Sequence, residues 1–231
     1  MHWDYLAILF VLAVIVPWRS RARLTSLLQC GTLSSEERTT LYTSTIGFQW
    51  AIALIILWRC HVHGLSRAEL GIAAPNLARA LVAATAISAV LVLNQIFSVS
   101  RLAHLPAEER GIIGQLADRL LPRARSERWV ALALVLTVAI CEELIYRGFI
   151  QSLLQRTLSS VLAGAVISAS FFGLAHLYQG RRGVVTTFVV GIIFSAVRAW
   201  TLSLVPSMII HFAVDFSAGV ASTRLFLGQS E

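Results

Sequence analysis

The chain has 231 residues, of which 57% are hydrophobic and only 13% charged, and its mean hydropathy is +0.74. An ordinary soluble domain carries about 25% charged residues, so a soluble enzyme, a disordered chain and a secreted disulfide scaffold are excluded and an integral membrane protein is indicated. The net charge of +7 comes from 19 basic residues, all arginine and mostly placed between apolar runs, which is a topology signal and not a nucleic-acid footprint.

A spanning helix needs about 20 mostly apolar residues. Seven stretches come close: 3–18, 41–58, 80–99, 129–154, 161–177, 184–200 and 202–221. Trp3, Trp18, Trp58, Trp129 and Trp200 mark several of their ends, as an interfacial aromatic belt predicts. The first stretch has no basic region before it and no small-residue cleavage site after it. Arg19, Arg21 and Arg23 follow instead, so it reads as a retained span and not a signal peptide. In the longest loop, 100–128, Ile112, Ile113, Leu116, Leu120 and Leu121 recur at helical spacing between Pro106 and Pro122. That pattern predicts a helix lying in the membrane interface.

The expected fold is all-α, a polytopic bundle of about seven spans forming a single membrane domain over 1–231. With seven spans, thirteen arginines fall on one side and six on the other. The positive-inside rule then places the amino terminus outside and the carboxyl terminus in the cytoplasm. Cys30, Cys60 and Cys141 are far apart and read as small apolar residues, without disulfide or metal spacing.

Most acidic residues sit in loops or at span ends, but Glu142, Glu143 and Asp215 lie deep in apolar runs, as do His176 and His211. An ionisable group in hydrocarbon costs at least ~2.5–3.5 kcal/mol on insertion scales, so each must face a partner or a wet cavity. Glu143 and Arg147 stand four apart, in the favourable order for a helical ion pair. Glu142 points about 100° away and is free to project into the bundle. His211 and Asp215 are also four apart, where a carboxylate can orient an imidazole. Phe172 and His176 repeat the spacing, with Phe171 and Phe172 expected to pack around the histidine. His2, His61, His63 and His104 lie at ends or in loops. Cys141, with no helical base nearby, reads as packing.

The string Glu142-Glu143-x-x-x-Arg147, with Phe172-x-x-x-His176 and His211-x-x-x-Asp215, resembles the signature of the CAAX-protease and bacteriocin-processing family (CPBP, or Abi). This family includes the Rce1-type CAAX prenyl endopeptidases. The resemblance covers a core at 129–221 and implies an intramembrane endopeptidase acting on a membrane-associated protein or peptide, without nucleic acid. It implies Glu142, His176, His211 and Asp215 as catalytic residues, with Glu143 and Arg147 in support. Two chemistries stay open: a glutamate-activated water, or a zinc held by Glu142, His176 and His211. Asp215 stands where the family allows Asn or Asp. An ionised Asp cannot donate to an oxyanion, so it is protonated, orients His211, or ligates a metal. Rce1-type relatives are expected to have eight spans, one more than the seven counted. The expected location is a bacterial inner membrane. The competing functions are a non-catalytic bacteriocin-immunity-type membrane protein and a proton-coupled transporter, for which buried Glu, His and Asp are also typical.

Overall fold

A computed structural model describes residues 2–29 and 31–227, so Cys30 lies outside the described residues. All regular structure among these residues is helical. In chain order the helices are α1 (Trp3–Gln29), α2 (Ser35–Val62), α3 (Leu77–Ala103), α4 (Gly111–Leu120), α5 (Arg125–Leu158), α6 (Val161–Ala175), α7 (Gly180–Thr201) and α8 (Val205–Leu227).

Six of them, α1, α2, α3, α5, α7 with its leading turn, and α8, are long and apolar enough to cross a membrane. The expected fifth span is the exception. α6 has 15 residues and rises only about 22 Å at 1.5 Å per residue, against a hydrocarbon core of about 30 Å. It ends at Ala175, whose carbonyl accepts from Ser20 Oγ of α1 at 3.4 Å.

Local chemistry fixes the helix starts. Ser34 and Glu37 form a reciprocal capping box for α2, Asn76 accepts from the Arg79 amide to open α3, and Ser160 accepts from the Ala163 amide to open α6. α1 runs past Trp18 to Gln29, carrying Arg19, Arg21 and Arg23 on its last turns and not in a loop. Hydropathy stops at the water, but Arg, Ala and Leu remain good helix formers. The helix expected in the long loop is α4. Arg119 donates to the Leu28 carbonyl at 3.3 Å and Tyr42 to the Leu120 carbonyl, pinning α4 across the ends of α1 and α2.

Contacts sort the connections into two ends of the bundle. At one end Asp4 meets Arg59 at 2.5 Å and His63 at 2.8 Å, and Glu69 meets Arg156 at 3.3 Å. At the other, Arg38 meets Glu127 at 2.9 Å and the Arg110 guanidinium lies 5.0 Å from the Phe226 ring. Asp4, near the start of α1, and Phe226, near the end of α8, are therefore at opposite ends. Asp4 and Glu127, which the sequence places at span ends, are buried and ion-paired across helices. Arg38 and Arg198 are buried too, tied up in tertiary contacts that hydropathy cannot foresee.

α3 packs along α8, α2 along α5, and α6 against α7. The last pair approaches closely at Gly191, where a Cβ would stand 3.1 Å from Ala169 Cβ and 3.2 Å from the Arg147 guanidinium. Apolar side chains such as Val90, Leu93 and Leu162 point outward, and Trp3, Trp18, Trp58, Trp129 and Trp200 are all exposed. That outer surface suits lipid.

Candidate active site

Glu142 and Glu143 sit at the middle of α5, immediately before a π-helical turn at Leu144–Ile150. Such turns are rare and occur often at functional sites. The two carboxylates diverge as helix geometry requires. Glu143 is fully buried, and its Oε1 accepts from Arg147 Nη1 at 2.8 Å and from His211 Nδ1 at 3.0 Å. Arg147 is fully buried as well. Its guanidinium lies between the Phe172 and Phe194 rings, 4.3 and 5.1 Å from their centroids, and donates to the Gly191 carbonyl at 3.3 Å. The four-residue spacing predicts the ion pair. It does not predict that the same carboxylate also grips an imidazole from α8.

Glu142 turns toward α2. Gln49 donates from Nε2 to Glu142 Oε1 at 3.0 Å, while Glu142 Oε2 is buried without a hydrogen-bond partner among the described residues. That free oxygen faces His211 Nε2 at 4.0 Å. Asp215, one turn further along α8, brings Oδ2 to 3.5 Å from the same nitrogen, and its side chain is 39% exposed. His211 thus has its Nδ1 fixed by Glu143 and its Nε2 turned to a space shared by Glu142 and Asp215. Glu143, more than Asp215, sets the orientation of this ring.

His176 closes α6 and is more loosely joined. Its Nδ1 donates to the Phe172 carbonyl at 2.8 Å, which leaves Nε2 as the acceptor of a neutral imidazole. Its ring packs 4.8 Å from Phe172 and 5.7 Å from Tyr178, and Phe172 in turn lies 5.9 Å from His211. Glu142, His211 and Asp215 therefore meet directly, and His176 joins them across the Phe172 ring. Phe172 packs against every group around it, Tyr146 included.

Gln49 is the member that sequence reasoning misses. A neutral amide hardly disturbs a hydropathy window, and its one signal is a lone glutamine inside the apolar run 46–58. Arg147 is likewise legible as an ion-pair partner, but the aromatic rings on either side of it are not. Cys141 and Cys60 are buried in apolar surroundings, as packing residues are.

The zinc alternative asks for three converging ligands. Among the described residues no group of three His, Cys, Asp or Glu side chains is placed to hold a metal ion. The Nδ1 atoms of His176 and His211 are engaged by Phe172 and Glu143, which leaves both Nε2 atoms free, and the His176 ring packs 4.8 Å from Phe172. As arranged, Glu142, His176 and His211 do not converge into such a group and do not fit a zinc site.

No curated protein and no solved structure matches the chain. A family model does match: residues 124–217 fit the description Rce1-like, type II CAAX prenyl endopeptidase. The match opens at the start of α5, closes just beyond Asp215 and leaves α1 to α4 outside it, Gln49 among them. It supports a CAAX-type intramembrane protease in general terms. Over residues 124–217, about two fifths of its length, the chain is similar to the Rce1-like family of type II CAAX prenyl endopeptidases.

Proposed function

We propose that the protein is an intramembrane endopeptidase that hydrolyses a peptide bond of a membrane-associated protein or peptide, using Glu142 to activate water. The observation that carries this reading is the space between Glu142 Oε2 and His211 Nε2, 4.0 Å apart. The gap is too long for a direct hydrogen bond and suits a bridging water.

In the proposed reaction Glu142 Oε2 takes a proton from that water as its oxygen attacks the scissile carbonyl carbon. Gln49, bound to Oε1, holds the carboxylate so that Oε2 stays directed at the water. The free Nε2 of His176, an acceptor, takes a hydrogen bond from the water. The C–O bond formed leaves an oxyanion, to which His211 donates from Nε2 while its Nδ1 stays on Glu143. When the C–N bond breaks, the leaving amine takes the proton that Glu142 received, returning the carboxylate to its first state. Glu143 and Arg147 are assigned to holding His211 and touch no reacting atom.

Asp215 is assigned to the oxyanion side of the site. Orientation of His211 is already provided by Glu143. The bundle is proposed to lie in a bacterial inner membrane with its amino terminus outside. The support is the surplus of arginine at the end carrying Arg19, Arg21 and Arg23.

The reading is tested by co-expressing candidate membrane-anchored substrates with the unaltered chain and with Glu142→Ala, His176→Ala and His211→Ala, and mapping new termini by mass spectrometry. New termini that depend on all three residues are expected. Cleavage that survives all three substitutions removes the assignment. A parallel arm with a metal chelator is expected to leave cleavage unchanged, and loss restored by zinc would return the metal chemistry.

A further inference from the structure

From the reaction centre toward the end that carries Glu69, a polar seam runs between α5 and α7. On α5 it is a row spaced by four, Glu143, Arg147 and Gln151; on α7 it is Gly191, Ser195 and Arg198. In an α-helix each step of four overshoots a turn by about 0.4 of a residue, so such a row drifts off its face. The wider π-helical turn at Leu144–Ile150 offsets the drift and keeps the row turned to α7.

The two sides are cross-linked along their length. Arg147 Nη2 donates to the Gly191 carbonyl at 3.3 Å, Gln151 Nε2 to the Ser195 carbonyl at 3.2 Å, and Arg198 Nη2 to Ser152 Oγ at 2.9 Å and to the Glu69 carbonyl. Arg147, Gln151 and Ser195 are fully buried and Arg198 is 5% exposed. Four polar atoms of the seam nevertheless have no protein partner among the described residues: Arg147 Nε, Gln151 Oε1, Ser195 Oγ and Arg198 Nε. Buried polar atoms in native proteins are almost always paired, and lipid offers no partner.

The unpaired set is two cationic donors, one amide acceptor and one hydroxyl able to do both. Two guanidinium groups repel a cation, and the Gln151 carbonyl oxygen repels an anion. Water satisfies all four, since a buried water makes about three hydrogen bonds of either sense. We propose that the seam holds a file of ordered waters running from Arg198 to Arg147, which joins the reaction centre to the polar loop at Glu69. The file gives the hydrolytic site a supply of water from the end of the bundle where Glu69 lies. Only this use of the water rests on the proposed protease reading; the file itself does not.

Two phenylalanines of equal burial provide the test. Phe194, 1% exposed, lies on the seam beside Arg147, whereas Phe149, 0% exposed, packs outside it against Tyr5, with ring centroids 5.2 Å apart. Hydroxyl-radical footprinting with short X-ray pulses, read by mass spectrometry on the full chain in lipid vesicles, oxidises side chains beside bound water even when bulk solvent is excluded. Phe194 is expected to be oxidised and Phe149 to stay silent. Ser195→Ala is expected to weaken the Phe194 signal, and Ser195→Ala with Gln151→Met to abolish it. A Phe194 as silent as Phe149 in the unaltered chain overturns the proposal, whatever the variants do. So does a Phe194 signal undiminished in both variants, since it then comes from water around His211. No turnover is needed, so failure here and failure of the protease reading are separate results.

Discussion

Gln49 Nε2 donates to Glu142 Oε1 at 3.0 Å, a bond from α2 to α5 that decides which carboxylate oxygen is engaged and which is left free. It ties a helix outside the Rce1-like segment to the residue assigned as general base. Gln49→Leu keeps an apolar side chain of similar size and removes the donor. A hydrogen bond to a charged group is worth about 1.5–3 kcal/mol, which corresponds to roughly a ten- to hundredfold fall in rate. The fall is expected in kcat with KM little changed, measured on a cleaved peptide substrate. A variant that raised KM alone would make Gln49 a substrate contact instead.

Glu143 and Arg147 are both fully buried, so removing either strands a charge in a low-dielectric core. Breaking a buried pair in this way costs about 3–5 kcal/mol. Glu143→Leu and Arg147→Leu are expected to lower the thermal unfolding midpoint in detergent, whereas Glu142→Gln leaves it near that of the unaltered chain. The double variant Glu143→Leu with Arg147→Leu is expected to regain much of the stability while staying inactive, because His211 Nδ1 has lost its acceptor. Activity in a stable double variant would show that Glu143 does not position His211.

Asp215 faces His211 Nε2 at 3.5 Å, but its side chain is 39% exposed and Glu143 already holds the other ring nitrogen. Asp215→Asn supplies an amide donor where the oxyanion forms. It is expected to retain or raise kcat, assayed beside Glu143→Gln, which is expected to reduce it strongly. Collapse in Asp215→Asn with survival of Glu143→Gln would reverse the two assignments.

What the sequence discloses and what it hides follows from the range of each signal. The apolar runs, the Glu143–Arg147 spacing and the His211–Asp215 spacing are local, and each matches a helix or a contact in the fold. Contacts between helices leave no such trace. The grip of Glu143 on His211 joins residues 68 apart, and that of Gln49 on Glu142 joins residues 93 apart. Asp4 and Glu127 look like solvated acids at span ends because their partners, Arg59 and Arg38, sit on another helix. The short α6 is hidden for a different reason: hydropathy runs on through His176 to Leu177, while the helix stops at Ala175.

Glu69 lies outside the spans and anchors the loop that Arg198 and Arg156 clasp. The Ser66 amide and hydroxyl both donate to its Oε2 at 2.8 Å and hold its carboxyl below the usual carboxylate range. A depressed folded pKa contributes stability above the unfolded value of about 4.3, and that contribution is lost as pH falls through the lower folded value. Amide exchange protection over 66–72, corrected for intrinsic rates, is expected to fall below about pH 4, and Glu69→Gln to remove that dependence. Protection that stayed constant from about pH 6 to about pH 3 would mean the carboxylate is not holding the loop.

In the proposed reaction Glu142 activates water while Glu143 only positions His211. Hydrolysis of a membrane-anchored peptide by the purified, vesicle-reconstituted chain and its Glu142→Gln variant, compared at matched unfolding midpoints, tests it most directly. Cleaved product is expected from the unaltered chain and none above background from Glu142→Gln. Equal rates from the two proteins, both correctly folded, would contradict it.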